Sequence, residues 1–127
     1  MNADERRLDE ITEEIIGCCY TISNTLGAGF LEKCYENALA HELHKRGRIV
    51  HQQRGIVVRY DGIVIGEYIA DMLVDESVLI EIKTAKALDS SYSAQCLNYL
   101  RATGLKVGLL VNFGQPRVEV KRVVNHF

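Results

Sequence analysis

The stretch Tyr68-Ile-Ala-Asp-Met-Leu-Val-Asp-Glu-Ser-Val-Leu-Ile-Glu-Ile-Lys83 decides the fold. Two apolar runs flank Asp75-Glu76-Ser77, a polar tripeptide of the kind that closes a β-hairpin. A three-residue loop closing Val74 against Val78 sets Asp71 directly opposite Glu81, with Cβ atoms roughly 4.5–5.5 Å apart. Glu81 and Lys83 are two apart and share a face of the second strand. Two carboxylates and an amine thus converge on one spot of an otherwise apolar hairpin. Like charges this close are costly unless something neutralises them. A hard divalent cation is the simplest neutraliser, since Mg²⁺ is held by one or two carboxylates, waters and phosphate oxygens. Lys83 would then orient or help deprotonate a water on the metal. The plainer alternative is a surface hairpin with a Glu81–Lys83 ion pair on its solvent face. Leu79, Ile80 and Ile82 argue against it, because they give the second strand an interior composition.

The chain has 127 residues, 47% hydrophobic and 25% charged. That is enough for one core and too little for two. The formal net charge of −2 excludes a generic polybasic nucleic-acid coat while leaving room for a local basic cleft. No apolar run approaches the roughly 20 residues of a membrane helix, and the N-terminal residues lack the apolar stretch of a signal peptide. Cys18, Cys19, Cys34 and Cys96 show no CxxC spacing, so they read as small core residues in a reducing cytoplasm rather than as zinc or iron–sulfur ligands.

Upstream, Leu8, Ile11, Ile15, Cys18/Cys19, Ile22 and Leu26 recur at helical spacing and predict an amphipathic helix ending at Gly27-Ala28-Gly29. Those glycines also have the look of a phosphate-cradling loop, but a GxG with no strand before it and no Lys-Ser/Thr after it is weak evidence. A second helix is predicted from about Phe30 to Arg46. Glu32 falls in its first turn, where the helix dipole alone suffices to explain a carboxylate. Short strands are predicted at Arg48–Gln53 and Ile56–Tyr60, then a turn at Asp61-Gly62 and a strand from Ile63 to Asp71. After the strand Val78–Lys83 come a helix from about Asp89 to Thr103, a buried strand Lys106–Asn112 parallel to a neighbour, and an edge strand Arg117–Val124. On the third helix Gln95 and Tyr99 share a face, joined by Tyr92. Together they would hydrogen-bond a phosphate or nucleotide, or Tyr99 would serve simply as a core aromatic. The order α-α-β-β-β-β-α-β-β implies an α/β mixed central sheet with flanking helices.

Asp71, Glu81-Ile82-Lys83 and Gln95-x-x-x-Tyr99 together resemble the active-site signature of the PD-(D/E)XK nuclease-like superfamily. More narrowly, Gly29-Phe-Leu-Glu32-Lys-Cys-Tyr35 resembles the motif after which the GxxExxY family is named. The resemblance continues through Tyr68–Asp71, Gln95–Leu100 and Val111–Gly114 to Lys121-Arg122-Val123. It implies a restriction-endonuclease-like core, with residues 1–127 forming one nuclease-like domain. It also implies that Asp71 and Glu81 ligate Mg²⁺ or Mn²⁺, with the Ile82 backbone carbonyl as a further ligand and Glu32 joining directly or through water. Lys83 would act on the attacking water, and Gln95 and Tyr99 would contact the substrate backbone. Ala70 stands where the superfamily signature has proline.

Two functions follow as expectations. One is a metal-dependent nuclease acting on nucleic acid, most naturally DNA, with Lys86, Arg101, Lys106, Arg117, Lys121 and Arg122 available to line a groove. The other is a non-catalytic nucleic-acid-binding or regulatory subunit of nuclease fold, with a homodimer or larger assembly enlarging its surface.

Overall fold

A computed structural model describes residues 2–126. Helix α1 (Ala3–Leu26) starts at Asn2, whose side chain accepts the Glu5 N–H. It buries the predicted stripe from Leu8 to Ile22 and ends at Gly27, where φ is 68°. Helix α2 (Glu32–Lys45) starts two residues later than its apolar spacing suggests, leaving Phe30 and Leu31 outside and exposed. The remaining elements are β1 (Val50–Tyr60), β2 (Ile63–Val74), β3 (Val78–Lys83), α3 (Ser90–Thr103), β4 (Val107–Asn112) and β5 (Glu119–Val124). Asp89 caps α3 by accepting the Ser91 N–H, and Gly104 closes it in the left-handed region.

The five strands lie in sequence order. Only β3 and β4 run parallel, joined across α3; the other neighbours are antiparallel. Val78, Ile80 and Ile82 of β3 pack with Val107, Leu109 and Val111 of β4 against α1 and α2. Leu79 belongs to a second, smaller cluster with Cys96, Tyr99 and Leu100 of α3. Helices therefore cover both sheet faces, which is why β4 is buried throughout and reads as a continuous apolar run. This is an α/β fold with a mixed central sheet flanked by helices. Gly108 lets α3 approach β4, since a Cβ there would meet Cys96 Sγ at 2.8 Å.

One expected break is absent. Arg48–Gln53 and Ile56–Tyr60 are not two strands; Val50–Tyr60 is continuous, and Gly55 pairs with Ile69 inside it. The irregularity sits instead at Gln53, whose φ is 56°. It falls between the pairs Gln52↔Met72 and Arg54↔Ala70, facing Asp71. There β2 rolls over: Ala70 packs in the cluster under α3, whereas Met72 packs in the cluster under α1 and α2. Residues two apart in a regular strand would share a face. The β1–β2 hairpin also outruns the sheet, because β2 pairs β1 along its length but β3 only from Met72 to Val74.

Candidate active site

The hairpin turn forms as its sequence requires. Val74 pairs with Val78, the Ser77 N–H donates to the Val74 carbonyl, and Asp75 and Glu76 both take positive φ, the geometry that matches strand twist in a tight hairpin. The ladder then stops at Met72↔Ile80. One step on, Asp71 and Glu81 are not a backbone pair as the loop length alone implies. The strands part, and the Asp71 side chain fills the gap, its Oδ2 accepting the Ile82 N–H at 2.7 Å.

Glu81 is 5% exposed, and its Oε1 has no hydrogen-bond partner among the described residues. It shares the α3 face of the sheet with Leu79, under Cys96 and Tyr99. Burial, then the charge of Asp71 and a hydrogen bond shared with it, push the Glu81 carboxyl up to about 9, with Lys83 pulling the other way. A buried polar atom left unpaired costs about 1–3 kcal/mol.

Lys83 is half-buried and forms no ion pair with Glu81. Its ammonium lies 4.8 Å from the centre of the Tyr92 ring on α3, so the plain hairpin ion pair is not what this strand makes. Tyr99 is buried and touches Tyr68 of β2, ring centroids 5.6 Å apart. Its hydroxyl is held above the usual range by burial first and then by the charge of Glu81. Gln95, one turn earlier on α3, is exposed. Glu32 opens α2, exposed and without a hydrogen bond or ion pair among the described residues. The buried carboxylate of that helix is Glu36, which accepts from Lys33, Gln52 and Gln53 and so braces the irregular turn opposite Asp71. Among the described residues, no three His, Cys, Asp or Glu side chains gather into a metal-holding group. The Asp71–Glu81 pair nevertheless fits a hard cation, offering oxygen donors only and one buried oxygen with no partner.

Sequence reading missed the clamp behind Lys83. Asn112, fully buried at the end of β4, accepts the N–H of Ala85 and of Gly114 and donates to the Ala85 carbonyl and to Glu119. Gly114 is needed because a Cβ there would overlap the Ala85 carbonyl oxygen and lie 2.6 Å from its nitrogen. Phe113 between them stacks on Tyr35, centroids 4.5 Å apart. The Tyr35 hydroxyl donates to the Gly27 carbonyl and accepts the Phe30 N–H, tying the α1–α2 connection. Gly29–Tyr35 and Val111–Gly114 are thus joined in space, although only their spelling was visible in the sequence.

Between the hairpin and α3 runs an open groove of about 620 Å³, whose lining includes Arg59, Tyr68, Gln95, Asn98, Tyr99 and Arg101. Arg101 is the one residue of the six expected basic candidates that lines it, and Arg59 was not foreseen. Lys106 and Arg122 are instead paired with Asp4 and Asp9 of α1.

Compared with known proteins, residues 9–123 match the family model described as the PD-(D/E)XK nuclease superfamily. The crystal structure of SSO0001 superposes with a TM-score of 0.60 at 21% identity, a likeness of fold, and the alignment covers 96% of this chain. It covers 61% of that structure, so the chain spans about three-fifths of its length. No curated protein matches the sequence.

Proposed function

We infer the function from a plain premise: the chain belongs to the PD-(D/E)XK nuclease superfamily. Such nucleases act on nucleic acid and generally use divalent metals. We propose that this one is a Mg²⁺- or Mn²⁺-dependent nuclease hydrolysing phosphodiester bonds, DNA foremost, with residues 1–127 working as a single nuclease-like domain. The motif Gly29–Tyr35 supports placing it in the GxxExxY family. The observation that carries the reading is the unpartnered Glu81 Oε1, buried beside Asp71.

In this proposal Asp71, Glu81 and the Ile82 carbonyl hold the metal, and Glu32 joins through water. When bound, the cation would lower the pKa of a water and offset charge on the phosphoryl oxygens. The Lys83 ammonium, steadied over Tyr92, positions the attacking water. Gln95 and Tyr99 hold the phosphate backbone, and the apolar packing of Leu79, Cys96 and Leu100 keeps bulk water from Glu81. One observation favours the alternative, a non-catalytic binding or regulatory subunit: Glu32 does not close on the pair.

Calorimetry with Mg²⁺ and Mn²⁺ tests the site. Wild type is expected to bind, and Asp71→Asn to lose binding. Asp61→Asn in the exposed β1–β2 turn, where φ is 53° and asparagine is tolerated, is expected to keep it. No heat from wild type with either metal would remove the metal site from the proposal.

We also assign the expected homodimer to the projecting hairpin. Tyr60, Ile63, Ile65 and Ile69 are 72%, 65%, 62% and 59% exposed. They are four large hydrophobic side chains of the hairpin left open to solvent, the kind of surface that marks an interaction site. A second copy meeting this hairpin would cover these side chains, as stable interfaces do with about 800 Å² per partner. No helix among the described residues is long and apolar enough to cross a membrane. The four cysteines are free thiols, which supports a cytoplasmic location.

A further inference from the structure

The groove beside the carboxylate pair has three features that together select a ligand. Its walls carry one arginine each, Arg59 from the hairpin and Arg101 from α3. Both are exposed, and neither forms an ion pair among the described residues; Arg6, Arg7 and Arg117 are unpaired too but lie outside the groove, whereas Arg46, Arg48, Arg54 and Arg122 are paired with carboxylates. Two unneutralised guanidiniums facing one slot favour phosphates. The second feature is Tyr68, 50% exposed and in contact with the buried Tyr99 ring. It offers the groove a half-exposed aromatic ring, tilted 43° against its neighbour Tyr99. The third is the pair of exposed amides, Gln95 and Asn98, each able to donate and accept.

Phosphate binders, an aromatic platform and amides describe a nucleotide. They also discriminate between forms of nucleic acid. A base can stack on a side chain only when its face is not covered by a neighbouring base, and amides can read its pairing edge only when that edge is free. Inside a duplex both are occupied, whereas an unpaired strand offers both. We propose that this groove binds a single-stranded segment of nucleic acid, with a base on Tyr68 and the flanking phosphates between Arg59 and Arg101. Tyr99 connects the groove to Glu81, so the bound strand leads to the carboxylate pair. The inference deepens the nuclease reading and rests on it for the identity of the polymer.

The test is fluorescence anisotropy in EDTA, where no metal-dependent cleavage occurs. The probes are a labelled single-stranded DNA of about twelve nucleotides, the RNA of the same sequence and the corresponding DNA duplex. At least one single strand is expected to bind roughly tenfold or more tighter than the duplex, and the DNA and RNA arms show which strand is preferred. Tyr68→Ala is expected to weaken single-strand binding about 5- to 150-fold, the range for loss of one stacked base, while Tyr68→Phe keeps most of it. Replacing both Arg59 and Arg101 with alanine lowers the salt slope by about 1.4, at about 0.7 per single-strand phosphate contact. Lys106→Ala, outside the groove, leaves binding unchanged. Equal or tighter duplex binding, no binding of any probe, or full single-strand affinity in Tyr68→Ala would overturn the proposal. Single-strand preference without cleavage of any substrate would count against the catalytic reading alone, and cleavage with duplex preference against this inference alone.

Discussion

At the scale of single residues, Glu81 dominates. With the Glu81 carboxyl pushed up to about 9 from 4.5, the metal-free folded protein keeps a proton that the unfolded chain releases. The native state therefore binds more protons than the unfolded state between about pH 4.5 and 9, and stability falls as pH rises through that window. Glu81→Gln removes the titration. Its melting temperature in EDTA at pH 8 is expected to exceed that of wild type, with the gap narrowing towards pH 4.5. Melting curves across this range check it, and a gap independent of pH would mean that Glu81 is ionised in the fold. The meeting of Asp71 with Glu81 was legible because strand period and loop length are written in sequence. The parting of the strands was not: there the Asp71 side chain takes the Ile82 N–H, a contact that strand period does not announce.

Among the elements, β3 is held at its far end by the clamp from β4. Asn112→Ala would orphan the Ala85 N–H and carbonyl and the Gly114 N–H, each costing about 1–3 kcal/mol where water cannot replace the bond. A loss of at least about 2 kcal/mol is expected in urea unfolding, together with weaker protection of the Thr84–Ala85 amides in hydrogen exchange. Stability within about 0.5 kcal/mol of wild type would mean that water replaces the clamp. The helices and the β2–β3 hairpin were readable from periodicity, caps and the turn tripeptide. The clamp was not, because Asn112 at a strand end reads as an ordinary terminator until β3 and β4 are known to lie side by side and parallel. The same gap in knowledge split β1 in two: Arg54-Gly55 looks like a break until Ile69 is found opposite.

For the whole molecule, three-layer packing brings together the carboxylates from the hairpin and the groove wall from α3. Which helices share a face is a tertiary choice, so the sequence supplied a list of basic residues without showing that Lys106 and Arg122 pair with carboxylates of α1. If the bare hairpin meets a second copy, sedimentation will show a dimer at micromolar concentration, and Ile65→Lys will give a folded monomer. A wild-type monomer at about 100 µM would leave the hairpin to another partner. The central claim is that Asp71, Glu81 and Lys83 form a hydrolytic centre. It is tested most directly by cleavage of plasmid and single-stranded DNA with Mg²⁺ or Mn²⁺, comparing wild type and Lys83→Ala from parallel preparations. Loss of a positioned proton-transfer group costs about 10²–10⁴-fold, so wild type is expected to cut and Lys83→Ala to be slower by about that factor with its melting temperature kept. Equal rates for the two proteins, or no cleavage by wild type with either metal on either substrate, would contradict it.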